Sequence, residues 1–288
     1  MPILPVPGAD LYYESVGSGP LFLCISGAKG SKEDWDRLAT QLKSHFTVVS
    51  YDRRGHSRSY LSTTTGQDYS CRLTTDADDA ARLIERLSPS GEPATVIGSS
   101  SGAIVALELL SRHPNVVRTL IPHEPPALKL LPNFSELSAK QQRIYDIYKA
   151  QGIPPALEMF AEAIDAGFEI EGLRYAFDPK SGPFASSNVV YWFERELMFY
   201  PFRDFEADLE KGGGLESQQD RLLLARGRDS EKTAPQYKAN AYLKAKLDME
   251  QPVLELPGAH FGYAMFPQAF AEELLQALRG KDGYYLGK

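Results

Sequence analysis

Between residues 94 and 112 the chain passes from an apolar run into a helical pattern through Gly98-Ser99-Ser100-Ser101-Gly102, and few backbones can make that passage. Residues 94–98 read as a buried strand, and residues 103–112 carry apolar positions three and four apart before His113-Pro114 ends them. A strand that turns into a helix over five residues forces the middle residue into a strained conformation. Glycines two positions to either side let neighbouring backbone approach closely, so the side chain of Ser100 projects from the turn. Ser99 and Ser101 lack that flanking pattern. Serine–glycine runs are common in loops, and it is the strand before and the helix after that make Ser100 a candidate nucleophile.

The same alternation fills the first 125 residues. Residues 21–26, 46–51 and 117–123 read as further strands, with residues 32–43 and 73–87 helical between them. Strands alternating with helices predict a mostly parallel sheet covered on both faces, an α/β architecture. After Pro125-Pro126 the pattern changes to a helix-prone stretch rich in aromatics, among them Tyr191, Trp192 and Phe193. Residues 221–225 and 253–256 then look like buried strands, with residues 234–247 helical between them and residues 267–278 a closing helix. The predicted organisation is a core of residues 1–126 and 217–288 interrupted by a helical cap at 127–216.

A serine hydroxyl is a weak nucleophile near neutral pH and needs a histidine within hydrogen-bond reach. Of the five histidines, His45 precedes a strand, His113 ends a helix and His56 lies in a loop, positions that capping or surface roles explain. His260 follows the last strand through Pro257-Gly258-Ala259, at the strand end where sites of open α/β sheets gather. It is the expected general base. Attack on a carbonyl also needs two donors for the oxyanion. The Ser101 N–H is one by position, and the Ala28 N–H, in the loop after residues 21–26, is the expected second.

Composition limits the alternatives. A formal net charge of −7 without a Lys/Arg block argues against nucleic acid as a partner. Two cysteines, Cys24 in an apolar run and Cys71 in a polar one, lack metal-ligand spacing and read as reduced thiols. Neither a signal-peptide pattern nor a membrane-length apolar run is present, so the expectation is a cytoplasmic protein with no membrane partner and no metal. The sequence leaves a homodimer open.

Taken together, the serine turn, His260 and Tyr51-Asp52-Arg53-Arg54-Gly55-His56-Ser57-Arg58-Ser59, similar to a D-x-R-G-x-G-x-S loop, make the chain resemble the α/β-hydrolase family over nearly its full length. That resemblance implies an eight-stranded, mostly parallel sheet with the cap inserted after the sixth strand, and a hydrolase without a cofactor. It leaves two candidates for the acid. The Gly-x-x-Asp position after the seventh strand is occupied by Ser230 in Gly227-Arg228-Asp229-Ser230, so Asp229 stands one place off. Glu124, in His123-Glu124-Pro125-Pro126, has the spacing from the serine found in zearalenone lactonases, whose serine motif and His-Glu-x-Pro segment look similar, and this favours Glu124 with Asp229 in reserve. The resemblance further implies an ester or lactone substrate, bulky and aromatic, zearalenone-like lactones included, with Trp192, Tyr191 and Gly27 as substrate-binding residues. Carbon–carbon bond hydrolysis of a diketone on the same triad, and a hydrolase-fold receptor for a small apolar ligand, are the alternative readings.

Overall fold

The computed structural model describes residues 2–63 and 66–282. The chain opens with two antiparallel strands, β1 (Ile3–Val6) and β2 (Ala9–Gly17). Then follow β3 (Leu21–Ile25), α1 (Asp36–Leu42) after a short 3-10 turn, β4 (Thr47–Tyr51), the two-residue β5 (Tyr60–Leu61), α2 (Arg72–Leu87), β6 (Ala94–Ser99), α3 (Ser101–Arg112) and β7 (Val117–His123). Between β7 and β8 (Ala225–Gly227) the chain is helical, with α4 (Phe134–Gln151), α5 (Ile153–Ala163), α6 (Ile170–Phe177), α7 (Ala185–Arg195) and α8 (Glu206–Leu209). The end comprises α9 (Pro235–Lys246), β9 (Leu254–Leu256), α10 (Gly262–Met265) and α11 (Pro267–Asp282).

The strands form one sheet in the order β1-β2-β4-β3-β6-β7-β8-β9, with β5 paired to β2. From β4 to β9 every pairing is parallel. Side chains alternate across the pleat. Leu21, Leu23 and Ile25 face α2, α3 and α9, whereas Phe22 and Cys24 face α1 and α11. Both faces are therefore apolar and covered, the condition under which parallel strands are stable. Both cysteines are free.

The structure departs from the expected elements at three places. The β1–β2 hairpin and β5 extend the sheet beyond the strands read from the sequence, and β5 makes the segment at 117–123 the seventh strand in chain order rather than the sixth. The run at 221–225 is buried at Leu222 and Leu224 and meets β7 through a Leu120–Leu222 bridge, with the Leu223 N–H on the Leu120 carbonyl and the Leu254 N–H on the Leu224 carbonyl, both at 2.8 Å, but the regular ladder begins only at Ala225. Among the described residues, no helix is long and apolar enough to cross a membrane.

Candidate active site

Strand β6 delivers Ser100 to the C-terminal edge of the sheet. There φ is 57° and ψ is −129°, a region that ordinary residues avoid at a cost of roughly 1–3 kcal/mol. Two glycines make the turn feasible. A Cβ on Gly98 would strike the Gly102 carbonyl, and one on Gly102 would strike the carbonyls of Ile25 and Ser26. The neighbouring strand locks the turn: Ser99 pairs with His123, and the Ser100 N–H donates to the His123 carbonyl at 3.0 Å.

That pairing sets Glu124, one residue beyond the end of β7, beside the serine turn. Its backbone has φ 48°, and its N–H donates to the Ala225 carbonyl of β8 at 3.1 Å. The carboxylate is fully buried. Oε1 accepts from the Gly227 N–H at 3.0 Å, and Oε2 meets His260 Nδ1 at 2.7 Å. Burial alone would raise the Glu124 carboxyl, but the hydrogen bond and charge of His260 outweigh it and hold the group at about 2. For His260, burial works against the imidazolium, and the Glu124 bond and charge, with the charge of Glu169, more than offset it, so its pKa is raised. Asp229 is exposed, and its N–H donates to the Gly258 carbonyl. The structure thus brings Glu124, not Asp229, to the imidazole.

Ser100 and His260 line the same two cavities, and no hydrogen bond joins them in this state. Catalytic bonds in unliganded enzymes are often open in this way. The first cavity, of about 50 Å³, lies under the helical segment against Pro126, Leu128, Leu137, Phe160 and Trp192. The second, of about 340 Å³, opens past Gly27, Lys29, Leu173, Phe177 and Phe261. Ala28 borders both, and Ser101 borders the first.

Trp192 is buried in the core of the helical segment, 4.8 Å from the Phe160 ring in an edge-on contact. Tyr191 does not reach either cavity. Adjacent residues of a helix point about 100° apart, so one that faces the cavity turns its neighbour away. Tyr191 instead packs against Gly55, the His56 ring at 4.9 Å and the Arg72 guanidinium. His56 is fully buried rather than at the surface, and burial with the charges of Arg53 and Arg72 suppresses its protonation. It lines neither cavity and stands apart from the site.

Glu169 was not foreseen from the sequence. It sits in the 3-10 turn before α6, is buried, and both its oxygens accept from the Phe261 N–H at 3.0 Å, next to His260. Burial raises its carboxyl pKa. An isolated glutamate in a helical stretch carries no local signal of such a contact, because the partner lies far along the chain. Among the described residues no group of three or more His, Cys, Asp or Glu is arranged to hold a metal ion.

Comparison with known proteins bears on the fold and the family. The chain is 35% identical over 278 residues to the hydrolase YraK of Bacillus subtilis (strain 168), covering 94% of this chain and 93% of that protein. It is 26% identical over 287 residues to a zearalenone hydrolase of Cladophialophora bantiana, covering 96% of each. The structure of a thermophilic esterase from Thermogutta terrifontis superposes with a TM-score of 0.68 at 18% identity, covering 94% of each chain. The model of the α/β hydrolase fold matches residues 20–265, and the chain belongs to that family of hydrolases.

Proposed function

We propose that the protein is a serine hydrolase that cleaves a carboxylic ester or lactone of a bulky hydrophobic or aromatic substrate through an acyl-enzyme on Ser100. The observation that carries this reading is the buried Glu124–His260 pair, 2.7 Å apart, whose imidazole shares a mostly apolar cavity with the strained Ser100. With Nδ1 engaged by Glu124, the imidazole offers Nε2 as the base. It takes the Ser100 proton as Oγ attacks the carbonyl carbon, and later returns that proton to the leaving alkoxide. The N–H groups of Ser101, at the N-terminus of α3, and Ala28 receive the oxyanion. Water, activated by the same histidine, then releases the acid. No step calls for a metal or organic cofactor.

The cavity of about 340 Å³, lined by Phe160, Leu173, Phe177 and Phe261, has the size and apolar character for an aromatic-bearing substrate, the smaller one beside Trp192 extends it, and similarity to a zearalenone hydrolase supports including macrocyclic aromatic lactones in that class. A direct test is a turnover screen of p-nitrophenyl esters of increasing acyl size beside macrocyclic lactones, zearalenone among them. Multiple turnovers of an ester or lactone, with larger aromatic groups preferred over acetate, are expected. Folded protein that turns over none of them contradicts the proposal.

A further inference from the structure

The Asp52-Arg53 step of the loop after β4 touches neither cavity, yet Arg53 is fully buried and makes three hydrogen bonds from the two terminal nitrogens of its guanidinium. Nη1 donates to Asp76 Oδ2 at 2.9 Å. Nη2 donates both to Glu196 Oε2 at 2.6 Å and to the Gly27 carbonyl at 2.8 Å. The Arg53 N–H also donates to the Gly30 carbonyl at 2.7 Å, and Asp52 Oδ1 accepts from the Lys32 N–H at 2.8 Å. Two adjacent residues therefore grip the loop at 27–32 at its beginning, middle and end.

The contact at Gly27 bears on chemistry because a trans peptide is planar and its C=O and N–H point in opposite directions. Turning the Gly27 carbonyl toward Arg53 turns the Ala28 N–H the other way. Gly27 itself lies against the nucleophile: a Cβ there would stand 3.0 Å from the Ser100 Cβ and 3.7 Å from its Oγ. A second donor, the Gly30 N–H at 2.9 Å, bonds the same carbonyl and would hold it only as firmly as the loop holds itself. The guanidinium is what ties it to the rest of the molecule.

We infer that Arg53 is a positioning residue for the oxyanion hole: by holding the Gly27 carbonyl, it aims the Ala28 N–H at the oxygen that becomes charged when Ser100 attacks. Glu196, which follows α7, shares Nη2 and fixes the guanidinium. Its N–H bonds the Trp192 carbonyl at 2.9 Å, so the helical segment that lines the cavity and the loop that carries the donor are joined through one nitrogen. This inference rests on the proposed serine mechanism and adds a residue that acts without touching substrate.

The test uses Arg53→Lys, whose ammonium can stay with the carboxylates but cannot also reach Gly27 as a fork. A second variant, Arg53→Gln with Glu196→Gln, removes a charge pair together and leaves no orphaned partner between them. Losing an oxyanion donor costs about 10²–10³ in kcat, so misaiming one should cost roughly 10–100-fold, with KM for an aryl ester within about threefold of wild type. Affinity for a trifluoromethyl ketone, which forms a tetrahedral oxyanion on the serine, should fall by the same factor as kcat/KM, and a purely structural role would not link those two quantities. Folded variants with wild-type kcat, or with a change in KM alone, overturn the inference.

One arm does not depend on variants folding. In a crystal of the wild-type enzyme with the ketone, the hemiketal oxygen should lie about 3 Å from the Ala28 N while Gly27 stays bonded to Arg53. An oxygen elsewhere, or a Gly27 carbonyl released from Arg53, refutes it. Fluorophosphonate labelling of wild-type Ser100 separates the two layers. Absence of labelling removes the serine mechanism itself, whereas normal labelling with either refuting result removes only the role of Arg53.

Discussion

Replacing Glu124 by Gln keeps the number of non-hydrogen atoms in the side chain, yet the surroundings dictate what it does. The two carboxylate oxygens accept from different groups: Oε1 from the Gly227 N–H and Oε2 from His260 Nδ1. A glutamine has one oxygen and one NH₂. The Gly227 N–H can only donate, so the amide oxygen must turn toward it, and the NH₂ then faces His260. The imidazole answers by presenting a bare Nδ1 and a protonated Nε2. In that tautomer it cannot take the serine proton, and the charge that stabilised the imidazolium is gone as well. A wrong-tautomer substitution of a triad acid costs about 10⁴ in kcat, about 5 kcal/mol of barrier. Steady-state hydrolysis of an aryl ester by Glu124→Gln, with circular dichroism and thermal melting to verify the fold, measures it. A folded variant within about tenfold of wild type would refute this reasoning, and a crippled Asp229→Asn would assign the acid elsewhere.

Further predictions follow from the same geometry. Because His260 must be neutral to act and its pKa is raised, kcat/KM should rise with pH through an apparent pKa above the ordinary value of about 6.5, and this limb should move to lower pH in Glu124→Gln. The pair also has a stability signature. The contribution of His260 is complete below about 6.5 and fades as pH rises through its folded pKa, while that of Glu124 is present above about 4.5 and fades as pH falls toward 2. The melting-temperature gap between wild type and Glu124→Gln should therefore be widest near pH 5–6 and narrow above it. Trp192→Leu should lower kcat/KM for a bulky aromatic ester about tenfold more than for an acetate, and equal losses on both would argue that Trp192 only packs the helical segment. Glu169→Ala leaves the Phe261 N–H without its acceptor, at about 1–3 kcal/mol, which hydrogen exchange at that amide should register as faster opening.

The parts of this molecule legible from its residues are those in which local pattern and tertiary role coincide. Strands β3, β4, β6 and β7 are largely buried on both faces and read as short runs rich in apolar and β-branched residues, and the serine turn announces itself through its glycines. The β1–β2 hairpin escaped because it lies at the sheet's edge. It is half exposed, carries Pro5 and mixes Asp10 and Glu14 among its tyrosines, so no apolar run marks it. The apolar triplet Leu222-Leu223-Leu224 marked the right place but not the strand's bounds, since it bonds to Leu120 and Leu254 while the regular ladder runs on into Ala225-Arg226-Gly227, where no apolar run continues. Tyr191 shared an aromatic cluster with Trp192, but proximity in sequence places the two on different faces of one helix. The buried set of Arg53, Asp76, Glu196 and Tyr200 was hidden for a different reason. Its members come from the loop after β4, from α2 and from the end of the helical segment, and only the fold brings them together.

The most direct test of the central claim is covalent labelling by a fluorophosphonate, read by intact mass and peptide mapping on the wild-type protein and on Ser100→Ala. The account predicts a single adduct on Ser100 of the wild type and none on the variant. Folded wild-type protein that takes up no label, or an adduct that persists in Ser100→Ala, would contradict it.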